Sequence, residues 1–363
     1  MTKIKIAFVL GTVSKDGGIA RATSLLTDSL HKTGLYEIHI IGYSKGDDEI
    51  GYNWNKELTY HHLLESLIPM KKGIFKATLQ LRKIIKNTNL DVLVACSSII
   101  GPMGVLATRM SSTKLIYWDH SSFFENTAHD FILQGKKFTA RFSNAVVPLT
   151  KHDKKNYETH TSAKKIEQIY NPIDVRLENL QHDYMVSSKK IISVGRLTFL
   201  KNFELLADVA KIVFEACPEY TWHIFGGGES EESIKKRIED NNISDKLILK
   251  GHATDLYAIY PEYALMVMTS RSEGFPMTLL EGMANKIPLI SFDIISGPNE
   301  IIEPEQNGYL IAPLNVPEMA ASIIKLLQDA GQRKAFAEKN MEYVDRFSMK
   351  SVVQKWTNLI QGL

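Results

Sequence analysis

Two carboxylates, Glu273 and Glu281, stand eight positions apart in the stretch RSEGFPMTLLEG at 271–282. The first belongs to a loop and the second to a helix that begins near Pro276. Proline is favoured at a helix start, and the first turn leaves backbone N–H groups unpaired and aimed at any nearby anion. Two acids flanking such a terminus suit a ligand with phosphates in its middle and hydroxyls at both ends, the layout of a nucleotide-sugar. The same residues also read as a strand-to-helix connection carrying two solvated acids.

Other loops offer complementary groups. Gly195-Arg196 and Lys201-Asn202 enclose a loop between an apolar run and a helical pattern, and two cations five residues apart suit a diphosphate. Phe225-Gly-Gly-Gly-Glu229, with Gly226 first, suits close approach of a phosphate or ribose, or a plain turn. Gly11 to Gly18 ends in the pair Gly17-Gly18 before a helix and departs from the G-x-G-x-x-G pattern, which weighs against a dinucleotide-dependent dehydrogenase. Tyr117-Trp118-Asp119-His120-Ser121 closes a strand. His120 there can donate to a sugar hydroxyl or leaving oxygen or satisfy a local carbonyl, with Asp119 as the second polar group. Asn171-Pro-Ile-Asp174 reads as an interdomain brace or a ligand-side loop. No D-x-D pair, P-loop, zinc-type Cys/His cluster or G-x-S-x-G elbow occurs, so no metal and no cofactor is expected.

Two domains must carry these loops. A chain of 363 residues with 44% hydrophobic and 23% charged residues fits two folded units. Cys96 and Cys217 read as reduced core residues, and no signal or membrane-spanning segment is expected. Residues 1–180 hold 24 Lys/Arg against 17 Asp/Glu, a net +7, and the rest hold 19 against 24, a net −5. The basic excess includes Lys136 and the stretch Pro69 to Lys86, where Met70, Ile74, Phe75, Leu79 and Leu81 accompany Lys71, Lys72 and Lys76. Such a face suits an anionic membrane surface or simply solvent. Without interleaved aromatics, nucleic acid is not expected as a partner.

Short apolar runs alternate with helical patterns in both halves, which predicts parallel sheets wrapped by helices. In the first half, strands are expected at Ile4–Leu10, Glu37–Gly42, Val92–Ala95, Lys114–Trp118, Ala145–Pro148 and Ile166–Ile169. In the second they are expected at Ile191–Val194, Trp222–Phe225, Leu247–Leu249, Leu265–Met268, Leu289–Ser291 and Gly308–Ile311. The expected fold class is α/β, with two doubly wound domains facing across a cleft.

Taken together, Gly17-Gly18, His120, Asn171–Asp174, Gly195-Arg196, Lys201 and above all Glu273-Gly-Phe-Pro-Met-Thr-Leu-Leu-Glu281 resemble the retaining glycosyltransferases of GT-B family four over almost the whole chain. With Ser296-Gly297-Pro298 and Asn307-Gly308, the block is similar to lipopolysaccharide, capsule and exopolysaccharide transferases. The resemblance implies a Rossmann-like acceptor domain over 1–175, a nucleotide-sugar domain over 186–346 and a C-terminal helix, 347–363, crossing back to the first domain. It implies a UDP-sugar donor of a hexose or N-acetylhexosamine and a saccharide or polyprenyl-linked saccharide acceptor. The expected location is cytoplasmic, with peripheral contact on the inner membrane face expected from the basic stretch Pro69 to Lys86.

By the same resemblance Glu273 holds the donor sugar and Glu281 the ribose. Arg196 and Lys201 neutralise the diphosphate, aided by the backbone of Gly274, Phe275, Pro276, Met277, Thr278 and Leu279. Gly195 and Gly226 line the nucleotide-sugar site, His120 reaches the sugar, and Gly17 and Gly18 lie under the phosphates. Glu273, His120, Arg196 and Lys201 are the implied catalytic set. No carboxylate is placed as a covalent nucleophile, so retention by same-face attack is expected, with the leaving phosphate as base. A nucleotide-sugar epimerase on the same scaffold and an inactive transferase-like partner subunit are the alternatives. Residues 43–90 match no acceptor pattern.

Overall fold

The structure, a computed structural model, describes residues 3–11, 13, 17–45, 54–66, 68–124, 130–178, 180, 182–253 and 255–363. The chain forms two units, Met1–Pro172 with Met349–Leu363, and Ile173–Ser348.

In the first unit the described elements are β1 (Ile4–Leu10), α1 (Gly18–Lys32), β2 (Tyr36–Ser44), β3 (Thr59–Leu64), α2 (Met70–Thr88), β4 (Val92–Ala95), α3 (Gly101–Thr108), β5 (Lys114–Asp119), α4 (Asp130–Phe142), β6 (Ala145–Pro148) and α5 (Lys151–His160). The strands form a parallel sheet in the order β3-β2-β1-β4-β5-β6. β4 is buried throughout and β1 over its last five residues, which is why both read as near-continuous apolar runs rather than alternating ones. Helix α5 is started by Thr150, whose Oγ1 accepts the Asp153 N–H at 3.0 Å.

The second unit begins with a single turn, α6 (Val175–Glu178). It continues through β7 (Lys190–Val194), α7 (Phe203–Ala216), β8 (Thr221–Phe225), α8 (Glu231–Asp240), β9 (Leu247–Gly251), α9 (Leu256–Ile259), β10 (Leu265–Met268), α10 (Met277–Ala284), β11 (Leu289–Phe292), β12 (Gly308–Ile311), α11 (Val316–Gln328) and α12 (Ala330–Val344). Its parallel sheet runs β12-β11-β10-β7-β8-β9. Both sheets share one winding: the first strand is central, the next two lie on one side and the last three on the other. The direction of winding therefore reverses between β1 and β4 and between β7 and β10, where open α/β sheets take their ligands beyond the carboxyl ends of the strands.

The last helix, α13 (Met349–Gln361), belongs to the first unit and contacts α1. Its fully buried Trp356 lies 5.0 Å from the Trp118 ring and 6.2 Å from Phe8.

Two elements differ from the sequence reading, and two escaped it. Residues 166–169 form no strand. One bridge, Val146 to Ile166, and a few backbone bonds such as Glu167 N–H to Val146 O at 3.0 Å run beside β6 without a continuous ladder. Pro276 is the N-cap of α10 rather than its first helical residue. Strand β3 pairs with β2 at the sheet edge, where its His61 and His62 blur the alternation. Helix α4 contains Gly135, which lowers its helical signal but faces Pro102 of α3, where a Cβ would stand 3.5 Å from the ring.

Candidate active site

The carboxyl ends of β7 and β10 meet at the switch point of the second unit, where Ile191 is registered on Leu265 and Ile192 on Met266. The loop after β7 carries Gly195, Arg196 and Lys201, and the loop after β10 carries Ser270, Arg271 and Glu273. The loops are stitched together by main chain and side chain. The Arg271 N–H donates to Leu200 O at 2.7 Å, Thr269 Oγ1 to Lys201 O at 3.2 Å, and Arg271 Nη2 to Asn202 Oδ1 at 2.8 Å. Asn202 caps α7 in the left-handed conformation, φ 58°, which asparagine adopts more readily than most residues. The Arg271 guanidinium also lies 4.5 Å above the Phe199 ring.

Within this frame Lys201 Nζ donates to Glu273 Oε1 at 2.5 Å, and Ser270 Oγ donates to the same oxygen at 2.6 Å. Both charged side chains are largely buried, 23% and 12% exposed. The two acids of the sequence reading are thus neither alike nor freely solvated. Glu273 is half of an ion pair at the site, while Glu281, buried on α10, accepts the Tyr260 hydroxyl at 2.7 Å. Arg196 is exposed. The lysine stem passes over Gly195, where a Cβ would meet its Cδ and Cε at 3.3 Å.

The N-cap of α10 is Pro276, whose side chain caps no N–H group of the first turn. The turn before it, Gly274-Phe275-Pro276, is braced from below. Gly297, at φ +104°, sits so close that a Cβ there would meet Pro276 at 2.6 Å, and Ser296 Oγ donates to Gly274 O at 3.4 Å. Phe275 packs on Phe347 with ring centroids 5.8 Å apart. Met277 and Leu279 are buried and Thr278 is half-buried.

Gly226 holds φ +136°, and any Cβ on it would collide with the carbonyl of Gly195. The Gly195 N–H bonds Phe225 O and the Leu197 N–H bonds Gly227 O, each at 3.0 Å. This glycine turn is therefore explained by its tight packing under the Lys201 loop.

Gly17, Gly18 and His120 belong to the other unit. Gly17 has extended backbone and precedes α1, and a Cβ on either glycine would meet nothing within 4 Å among the described residues. Residues 12 and 14–16 of that loop lie outside the described residues. His120 follows β5, its ring 4.2 Å from Trp118. Burial drives its imidazole down to about 3, against a smaller upward pull from Asp119, so the ring is neutral at physiological pH.

Asp119 is a structural anchor. It and Lys136 are fully buried, with Nζ 3.2 Å from Oδ2, and Tyr157 OH donates to the same oxygen at 2.6 Å. Lys136, which the sequence reading placed in the solvated basic excess, also donates to Ser121 Oγ at 2.8 Å and Ser122 O at 2.6 Å. It thereby fixes the loop that carries His120.

Burial also lowers His223 to about 4 and draws His61 below the ordinary 6.5. Below pH 6.5 an unfolded chain protonates these imidazoles while the native protein resists. Their contribution to stability is therefore complete above about pH 6.5 and is lost as pH falls toward the folded values. A series of thermal melts from pH 7.5 to 4.5 should show falling midpoints, with a shallower fall in His223→Gln.

Ser270, Tyr260 and the Arg271–Asn202 pair were missed in the sequence. Ser270 stands three positions before Glu273 at a strand end, a local signal, whereas pairing across 21 positions for Tyr260 and 69 for Arg271–Asn202 leaves no local pattern. No helix among the described residues is long and apolar enough to cross a membrane.

Two doubly wound parallel units, the second carrying a basic and acidic loop pair at its switch point, define a GT-B scaffold. Residues 16–177 match the family described as Glycosyltransferase Family 4, and 181–343 match Glycosyl transferases group 1. The chain is 32% identical over 295 residues to the O-antigen biosynthesis glycosyltransferase WbnH of Escherichia coli, covering 79% of this chain and 81% of the relative. It is 25% identical over 366 residues to the poly(ribitol-phosphate) alpha-N-acetylglucosaminyltransferase of Staphylococcus aureus, covering 96% of this chain and 73% of that one. A crystal structure of S. aureus TarM, a mutant in complex with fondaparinux, alpha-GlcNAc-glycerol and UDP, superposes with a TM-score of 0.83 at 17% identity, over 98% of this chain and 99% of that chain. The chain belongs to the GT-B glycosyltransferases of family four.

Proposed function

We propose that the protein moves a hexose or N-acetylhexosamine from a UDP-sugar to a saccharide or polyprenyl-linked saccharide, with retention at the anomeric carbon and without a metal. The observation that carries this reading is the Lys201–Glu273–Ser270 cluster at the switch point of the second unit, with Glu273 four residues ahead of the first helical residue of α10. The UDP named with the TarM structure supports the choice of nucleotide.

Cleavage of the anomeric C–O bond leaves an oxocarbenium-like sugar and adds negative charge to the departing diphosphate. Lys201, the exposed Arg196 and the α10 N–H groups are the positive partners for that charge, and they act more strongly on the transition state than on the ground state. Glu273 holds the sugar hydroxyls, Glu281 the ribose, and neutral His120 offers a hydrogen bond rather than a proton at physiological pH. The acceptor hydroxyl attacks from the leaving-group face, passing its proton to the departing phosphate oxygen.

Incubating the protein with UDP-, GDP- and ADP-sugars in EDTA, with and without candidate acceptors, tests this directly. One nucleotide diphosphate should be released, and the product should keep the donor's anomeric configuration by proton NMR. A trapped glycosyl-enzyme or an inverted product contradicts the mechanism, and strict metal dependence contradicts the charge assignment.

We also propose that the first unit works on the cytoplasmic face of an anionic membrane. Helix α2 presents Phe75, 74% exposed, and Leu79 beside exposed Lys71, Lys72 and Lys76, while Met70 and Ile74 turn partly onto the core. Apolar side chains ringed by lysine suit an anionic interface, each cation near the surface contributing about 1 kcal/mol. Changing all three lysines to glutamate should abolish sedimentation with anionic liposomes at low salt. Unchanged sedimentation contradicts the proposal.

A further inference from the structure

The ribose carboxylate does not stand alone in the second unit. Tyr260, fully buried in the 3-10 turn Tyr260–Glu262 that continues α9, donates its hydroxyl to Glu281 Oε2 at 2.7 Å. Glu281 is 3% exposed, so this charge-assisted bond forms where water competes little. One turn earlier on the same segment, Tyr257 donates its hydroxyl to Asp174 Oδ2 at 3.1 Å, and Arg176 both pairs with Asp174 at 2.9 Å and lies 4.6 Å over the Tyr257 ring. Asp174 is the second residue of the unit, next to Ile173, where the chain enters it. The Ile173 N–H in turn donates to Phe347 O at 2.9 Å, beside the second crossing of the chain. A short, capped segment, started by Asp255 accepting the Tyr257 N–H at 3.1 Å, thus links the entry of the chain to the carboxylate on α10.

We infer that Tyr260 is a positioning residue for nucleotide recognition: its hydroxyl sets the Glu281 carboxylate to receive the ribose diol, and Tyr257 and Asp174 hold the segment that carries it. The inference rests on the nucleotide-sugar reading above and deepens it. A carboxylate that must accept two vicinal hydroxyls gains only if its plane is fixed beforehand, and a buried phenol in contact with one oxygen fixes it. A purely structural tyrosine would alter fold stability without altering which nucleotide is preferred.

The test uses calorimetric titration of the full chain with UDP and with 2′,3′-dideoxy-UDP. Wild type should favour UDP, because only UDP carries the diol. In Tyr260→Phe, which removes one oxygen atom, that preference should fall by about five- to tenfold while dideoxy-UDP binding stays the same. Tyr257→Phe should move the preference in the same direction by a smaller factor, and it decides the matter if Tyr260→Phe does not fold. An unchanged preference in the folded variants, or equal loss for both ligands, overturns the inference and leaves the donor reading standing. Absence of UDP binding in wild type overturns the donor reading, and this inference with it.

Discussion

Replacing Lys201 with alanine should lower the transfer rate by roughly 10²–10³, the usual effect of removing one preorganised donor to a developing negative charge. Two losses combine. The cation paired with Glu273 disappears, and Glu273 keeps Ser270 while losing its 2.5 Å ion-pair partner. Because the effect belongs to the transition state, it should appear chiefly in kcat, with a smaller change in KM. Lys201→Arg should recover little. The stem passes over Gly195 with carbons already 3.3 Å from where a Cβ would be, and a planar fork does not replace a compact ammonium there. An alanine variant with near wild-type kcat would remove Lys201 from the chemistry.

The second large effect concerns stability. Lys136→Met should destabilise the protein by about 3–5 kcal/mol, because it leaves Asp119 buried and charged without its cation. Tyr157 and Ser121 remain as donors to Asp119, so part of the network survives. Adding Asp119→Asn to Lys136→Met should restore a large share, since removing both charges avoids the buried unpaired one. Urea unfolding of Lys136→Met, Asp119→Asn and the double variant beside wild type measures this cycle. A loss below 1 kcal/mol in Lys136→Met would show that the pair is not the anchor of the His120 loop.

Much of the fold could be read from the sequence because parallel strands buried on both faces leave unbroken apolar runs. Val92–Ala95, Ala145–Pro148, Leu265–Met268 and Gly308–Ile311 lie where the runs lie. Thr59–Leu64 did not announce itself, because only Leu63 and Leu64 are buried and its two histidines interrupt the apolar run. Ile166–Ile169 misled for the opposite reason: apolar side chains can lie beside a sheet edge without joining its ladder.

At the site, residue type and spacing marked Lys201, Glu273 and Glu281, which sit on local motifs at strand ends. They did not reveal that Lys201 pairs with Glu273, nor that Tyr260 holds Glu281. Those relations are set by which strands lie side by side. Gly226 carries the lesson further, because a glycine that suits a ligand in sequence is required here by the carbonyl of Gly195. Lys136 is a similar case: a lysine in a basic stretch reads as surface, and only the buried Asp119 and Ser122 O explain it.

The proposed transfer requires a nucleotide diphosphate at the carboxyl edge of β7 and β10, between Lys201 and the first turn of α10. Calorimetric titration of UDP into the full chain in EDTA, alongside Lys201→Ala and Glu281→Ala, tests it most directly. Wild type should show saturable one-to-one binding, weakened at least about tenfold in each variant, the scale of one lost charge-assisted contact. Binding of equal strength in all three proteins, or none in wild type, would contradict it.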